Sequence, residues 1–290
     1  MSKRTPKLPR SQIPTVLVVG ASGATGRHVV QLLSASNVNV RILVRDRSKL
    51  PLPLKSHERV TVYEGAILDI EDNKLRSLVD GCSAIVSCLG HNLTLDGIFG
   101  EPRRLCYEAT KRLCEAVQST KSSASAPPTC RFILMNTVGA QDLTNPDERV
   151  PWPQFLVVSM IRCMLPPHAD NEQAAAYLRN TVGNNPAIEW CIVRPDGLLD
   201  EEEVSEYTIT DSPSTDVIFD SLSVSRISVA HFMAALARGG PEWDKHKYKS
   251  PCITSTASVK EHRQKAVWFL RPTSLCVWTA LASVVWGLGG

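Results

Sequence analysis

The chain has 290 residues, 43% of them hydrophobic, enough to bury the core of one large α/β domain carrying a tail. The net charge of +3 comes from basic residues spread along the chain without a stripe of interleaved aromatics, so nucleic acid is not an expected partner. Nine cysteines, with no CxxC pair and no metal-ligand spacing to histidine, read as reduced, mostly buried thiols of a cytoplasmic protein, and no metal site is expected.

Residues 1–14 contain Lys3, Arg4, Lys7 and Arg10 but no apolar stretch, which reads as a disordered basic leader rather than a secretory signal. Apolar runs then follow at 15–20, 38–44, 60–64, 84–89, 131–136 and 188–194, alternating with helical patterns at 25–36, 72–79, 103–120 and 170–180. Asp69 and Asp170 are expected to cap the helices beside them. Segments 119–129 and 143–153 read as exposed loops.

Beyond Pro195 the pattern loosens into an acidic patch at 200–203, short extended pieces near Tyr207 and Ile227, and a helix at 229–238. The expected fold class is therefore α/β, a Rossmann-type doubly wound parallel sheet with a small C-terminal substrate-side lobe, spanning 15–257. The tail, 258–290, ends in an uncharged stretch at 273–290 preceded by Lys260, Arg263, Lys265 and Arg271. That stretch is marginal for spanning a bilayer, so a C-terminal membrane attachment and an interfacial or loosely docked tail both stand as readings.

The first strand runs straight into Gly20-Ala-Ser-Gly23-Ala-Thr-Gly26 and a helix. Gly20 would allow the sharp turn, Gly23 the approach of backbone N–H groups to a pyrophosphate, and Gly26 close packing of the helix, whose positive end faces the anion. The second strand ends in Val44-Arg45-Asp46-Arg47-Ser48-Lys49, where a dinucleotide fold reads the adenosine ribose. A guanidinium at that place suits a 2'-phosphate, so Arg45 points to NADP(H), with NAD(H) as the alternative; an exposed arginine at a strand end is the competing reading.

These segments, followed by Ser87-Cys-Leu-Gly90, Asn136-Thr-Val-Gly139 and Val193-Arg-Pro195, resemble the atypical short-chain dehydrogenase/reductase superfamily. More narrowly they are similar to its NmrA-like and biliverdin reductase B (flavin reductase)-like members, over about residues 15–257. The resemblance implies that Gly20, Ser22, Gly23, Ala24, Thr25 and Gly26 hold the pyrophosphate and Arg45 the 2'-phosphate. It implies that Leu89, Gly90 and His91 line the ribose on the nicotinamide side, that Thr137 takes the active-site Ser/Thr position, and that Pro195 lies near the nicotinamide.

Two departures from that pattern matter. Gly65-Ala66 stands where the family often has Gly-Asp, which removes a carboxylate from the adenine and leaves the backbone of Ile67 to serve. The superfamily's Tyr-x-x-x-Lys pair is also missing: Tyr107 and Lys111 have the spacing but precede the fifth strand, and in the best register Pro167 and Asn171 occupy the two positions. His168 would be the substitute proton donor, although a histidine before a helix is more often a surface or capping residue. Tyr177 is expected to pack, and Cys88 to be an inert buried thiol. The segment 90–104, with glycines and the apolar pair Ile98 and Phe99, is read either as a lid or as an ordinary surface loop.

The expected function is an NADPH-dependent oxidoreductase acting on a flavin, quinone or conjugated carbonyl. The alternative is a non-catalytic NAD(P)-binding redox sensor or scaffold of the NmrA type, with a partner protein in place of the small-molecule substrate. A nucleotide-sugar epimerase ranks third, because it needs the missing tyrosine.

Overall fold

The structure is a computed structural model and describes residues 13–91, 100–121, 129–140, 166–213 and 222–260. Residues 1–12 of the leader, the expected lid residues Ile98 and Phe99, the loop at 143–153 and the uncharged stretch at 273–290 lie outside the described residues. Among the described residues no helix is long and apolar enough to cross a membrane.

The strands form where β-branched and aliphatic residues run unbroken. They are β1 (Thr15–Val19), β2 (Asn39–Val44), β3 (Val60–Glu64), β4 (Cys82–Ser87), β5 (Cys130–Met135) and β6 (Ile188–Pro195). Between them lie α1 (Gly26–Ala35), the short α2 (Leu52–Lys55), α3 (Asp72–Val79), α4 (Leu105–Lys121) and α5 (Pro166–Ala176), the last running into a π turn at Tyr177–Val182. The C-terminal part adds β7 (Gly197–Leu199), β8 (Tyr207–Thr210), β9 (Ser223–Ser225), α6 (Arg226–Arg238), α7 (Pro241–His246) and β10 (Cys252–Ser255).

One eight-stranded sheet has the order β3-β2-β1-β4-β5-β6-β10-β8, parallel except for β8, which pairs antiparallel with β10. The order reverses between β1 and β4, and this is where a doubly wound sheet opens a crevice at its carboxyl edge. Alternation along each strand divides the core. Val16 and Val18 of β1 face the layer of α1 and α6, whereas Leu17 and Val19 face α3, α4 and α5. The C-terminal part is thus shared: β10 and β8 lengthen the main sheet and α6 packs on α1, while β7 and β9 make a separate two-stranded sheet.

Arg194 on β6 ties these parts together. Its side chain is fully buried, and its guanidinium donates to the carbonyls of Ser250, Ala140 and Asp211 at 2.7, 3.5 and 3.3 Å.

Three local expectations are corrected. Asp69 does not cap a helix: α3 begins at Asp72, and the Asp69 N–H instead closes a tight turn on the Ala66 carbonyl at 3.1 Å. Asp170 lies inside α5, because Pro166 and Pro167 suit the first helical turn and the helix starts before it. The extended piece near Ile227 ends at Ser225, whose Oγ accepts from the Ser228 N–H at 3.2 Å and starts α6 three residues ahead of the expected position.

Candidate functional site

Six neighbouring strand ends converge on one edge. In the order β3-β2-β1-β4-β5-β6 they lead into Ile67, Arg45, the Gly20 turn, Leu89-Gly90-His91, Thr137 and Pro195. Strands stand about 4.8 Å apart, so Arg45 and Thr137 are separated by three spacings, on the order of 14 Å. The expected cofactor residues therefore form one continuous row across the switch point.

At its centre the glycines are required by contact. Gly20 has φ +76°, and a Cβ there would lie 2.5 Å from the Cys88 carbonyl oxygen; one on Gly26 would lie 2.1 Å from the Gly20 carbonyl oxygen. The Gly23 N–H donates to that same carbonyl at 3.0 Å, which tightens the turn. Ser22, Gly23 and Ala24 are exposed, and among the described residues no acceptor takes the N–H groups of Ser22, Ala24 or Thr25. Unpartnered donors at the positive end of α1, with no acidic residue in its first turn, fit a pyrophosphate by charge and shape. Across the turn, open space faces Gly90, where an added Cβ would meet nothing within 4 Å.

Arg45 is exposed just past β2. The next residue, Asp46, accepts the Ser48 N–H at 2.8 Å, and hydrogen bonding from the Ser48 hydroxyl and then from this N–H holds its carboxyl below the usual range. Among the described residues, no acceptor takes the Arg45 guanidinium at the strand end. Ile67 is buried, and the segment around it is gripped by Arg112 of α4, a residue the sequence reading missed. Its Nη1 donates to the carbonyls of Ile67, at 2.9 Å, and Leu68; its Nη2 donates to the Ile70 carbonyl and to Asp72 Oδ1, at 2.6 Å. A groove between α3 and α4, lined by Asp72, Leu75, Arg112 and Glu115, lies behind this clamp and away from the strand ends.

On the other side, His91 turns its ring inward. Its Nε2 is 2.8 Å from Asp170 Oδ2, and the same carboxylate accepts the N–H groups of Cys106 and Tyr107 at 2.7 and 2.8 Å. Asp170 thus caps α4 from a neighbouring helix, a place for which Arg104, the residue preceding the helix, has no acceptor to offer. His91, Cys106 and Asp170 bring three ligand-type atoms within 4.8 Å of one another. Two helix N–H donors and the positive helix end already face the carboxylate, however, so the trio suits a hydrogen-bonded strut better than a cation. The Cys106 thiol points to the Leu89 carbonyl at 3.5 Å, and burial beside Asp170 raises it well above the ordinary thiol range.

Thr137 and His168 are brought together. A Cβ on Gly139 would lie 3.4 Å from His168 Cε1 and 3.8 Å from Thr137 Oγ1, so both side chains border the same glycine. Thr137 Oγ1 accepts the Gly139 N–H at 3.3 Å, and among the described residues no acceptor takes its proton. The ring of His168 has Glu172 one helical turn on, Nε2 to Oε1 3.6 Å. Asn136, also missed as a functional residue, locks this corner: its Oδ1 accepts the Thr137 N–H and its Nδ2 donates to the Asn171 carbonyl, both at 2.8 Å. The Val138 N–H donates to the Pro195 carbonyl at 3.0 Å, so the ends of β5 and β6 are stapled together.

The remaining candidates pack. Tyr107 lies on α4 between Arg104, 4.4 Å above its ring, and the edge of Tyr177 at 5.9 Å. Burial pushes the Tyr177 phenol up to about 12 and the Cys88 thiol up to about 12, which keeps both protonated near neutral pH.

Comparison with known proteins agrees with this fold. Residues 20–239 match the model of a family described as NAD(P)H-binding. No curated protein matches the sequence. Among solved structures, the chain is similar to the oxidoreductase ylbE from Lactococcus lactis (17% identity, TM-score 0.58, covering 87% of this chain and 96% of that one). It is also similar to a short-chain dehydrogenase/reductase from Veillonella parvula in complex with NADP (16%, 0.56, 84% and 96%). An anaerobilin reductase from Escherichia coli O157:H7 shares the fold too (17%, 0.56, 83% and 97%).

Proposed function

Since this chain belongs to the NAD(P)H-binding family, we propose that it is an NADPH-dependent oxidoreductase whose acceptor is a flavin, a quinone or a conjugated carbonyl. The observation that carries this reading is the row of strand ends, in which a donor-lined glycine turn leads to Thr137 and His168 on one side and to Arg45 on the other.

When bound, the dinucleotide supplies a hydride; the chain's own groups bind, orient and protonate. The N–H groups of Ser22, Ala24 and Thr25 would hold the pyrophosphate, and Arg45 would pair with a 2'-phosphate. The Thr137 hydroxyl, whose proton no acceptor among the described residues takes, would donate to an acceptor oxygen or ring nitrogen, and His168 would deliver the proton. Leu89, Gly90, Pro195 and the backbone of His91 would wall the nicotinamide half. Acceptors that stabilise added charge by conjugation need little help from a phenol, in keeping with Pro167 and Asn171 on α5 where the tyrosine and lysine would stand.

The same two residues favour a second reading, a non-catalytic redox sensor or scaffold in which occupancy by NADPH alters partner binding. NADPH consumption against a panel of flavins and quinones separates the two. Sustained turnover that Gly23→Trp abolishes and Tyr107→Phe leaves unchanged supports the enzyme; tight NADPH binding without turnover across the panel supports the sensor.

A further inference from the structure

The segment after β3 presents donors where an adenine amino group would need an acceptor. The Ala66 carbonyl accepts from both Asp69 and Ile70 N–H, at 3.1 and 3.0 Å, and the carbonyls of Ile67, Leu68 and Ile70 are taken by Arg112. Among the described residues, by contrast, no acceptor takes the N–H groups of Ala66, Ile67 or Leu68. The Arg112 guanidinium, paired with Asp72, holds their course from behind. Two carboxylates lie nearby in sequence, Glu64 and Asp69, but both are exposed, and among the described residues no hydrogen bond holds either side chain. Among the described residues, the carbonyls of Gly65 and Asp69 are the backbone acceptors of this segment that no donor takes.

We infer that this end of the site reads a purine through backbone N–H donors and does not select its 6-amino group, so a 6-oxopurine dinucleotide binds about as well as the adenine one. The inference rests on the dinucleotide reading above, with the adenosine over β2 and β3. In either form the purine offers these donors one acceptor, N1 beside the 6-amino group of adenine or O6 of a 6-oxopurine, whose own N1 carries a proton, and one donor left unmatched, so neither form is favoured. Arg112 is then a positioning residue, since it fixes the segment in the shape that turns its carbonyls away from the ligand.

The test is equilibrium binding of the full chain to NADPH and to its hypoxanthine analogue, followed by nicotinamide fluorescence. The expected result is dissociation constants within about threefold of each other, and an Ala66→Asp variant that prefers NADPH by about tenfold or more, because a carboxylate adds a charge-assisted acceptor for the amino group. A tenfold preference for NADPH in the unmodified chain overturns the inference. If Glu64→Gln with Asp69→Asn then abolishes that preference, a side-chain carboxylate is the reader; if it persists, a backbone carbonyl, of Gly65 or Asp69, is. Binding of neither dinucleotide overturns the dinucleotide reading itself, and this inference with it.

Discussion

The carboxylate of Asp170 stands 2.8 Å from the ring nitrogen of His91, and through this contact the end of β4, the start of α4 and the middle of α5 share one anchor. Asp170→Ala would leave two helix N–H groups and the histidine without their buried acceptor. The expected loss is about 3 kcal/mol of unfolding free energy, read from urea denaturation. Asp170→Asn keeps one acceptor oxygen and should lose less. A loss below about 0.5 kcal/mol for the alanine variant would show that water replaces the cap.

Arg45 should matter only to the phosphorylated cofactor. Arg45→Asp is expected to weaken NADPH by tenfold or more, the worth of one charge-assisted pair, while NADH changes by less than about threefold. Titrations showing equal losses for both would remove Arg45 from the 2'-phosphate site.

Buried thiols make the fold sensitive to alkali. Burial raises Cys82 to about 11 and Cys88 to about 12, above the ordinary thiol value of 9.0. Above pH 9 the unfolded chain releases these protons while the folded chain keeps them, so the unfolded state binds fewer protons and stability falls as pH rises. The contribution is fully present below pH 9 and is lost progressively toward pH 11 to 12, at up to about 1.4 kcal/mol per thiol per pH unit. Urea midpoints at pH 8 and pH 10 check this, and Cys82→Ala with Cys88→Ala should flatten the decline.

For the tail, the expectation of membrane attachment through 273–290 is tested by fractionation of the full chain and of a variant ending at residue 265. Sedimentation of the full chain alone with membranes is the outcome that supports an anchor. Equal partition of the two into the soluble fraction argues for a loosely docked segment.

Much of the sheet could be read directly. A strand buried on both faces is an unbroken apolar run, as in Val16-Leu-Val-Val19, and a glycine required by a 2.1 Å approach stands out as Gly26 does. Contacts that depend on distant segments were not legible. Asp170 looked like a local cap because Asp is a common capping residue; its true partner is a helix 64 residues earlier in the chain. Asp69 failed as a cap for a related reason, since Arg112 draws the preceding carbonyls into a turn before α3 can begin. Thr137 was found from its place after an apolar strand, whereas Asn136, which orients it, left only the faint signal of an amide at a strand end.

Among the described residues, Arg112 and Arg194 each donate to three backbone carbonyls. A carbonyl is present whatever side chain its residue carries. The loops at 67–70, 140, 211 and 250 can therefore change residue type while the shape imposed by the two arginines persists. Each arginine, by contrast, holds several residues at once through a forked set of donors. Recognition at the adjoining strand ends is in this way free to diversify by single substitutions, on loops whose course is fixed from behind.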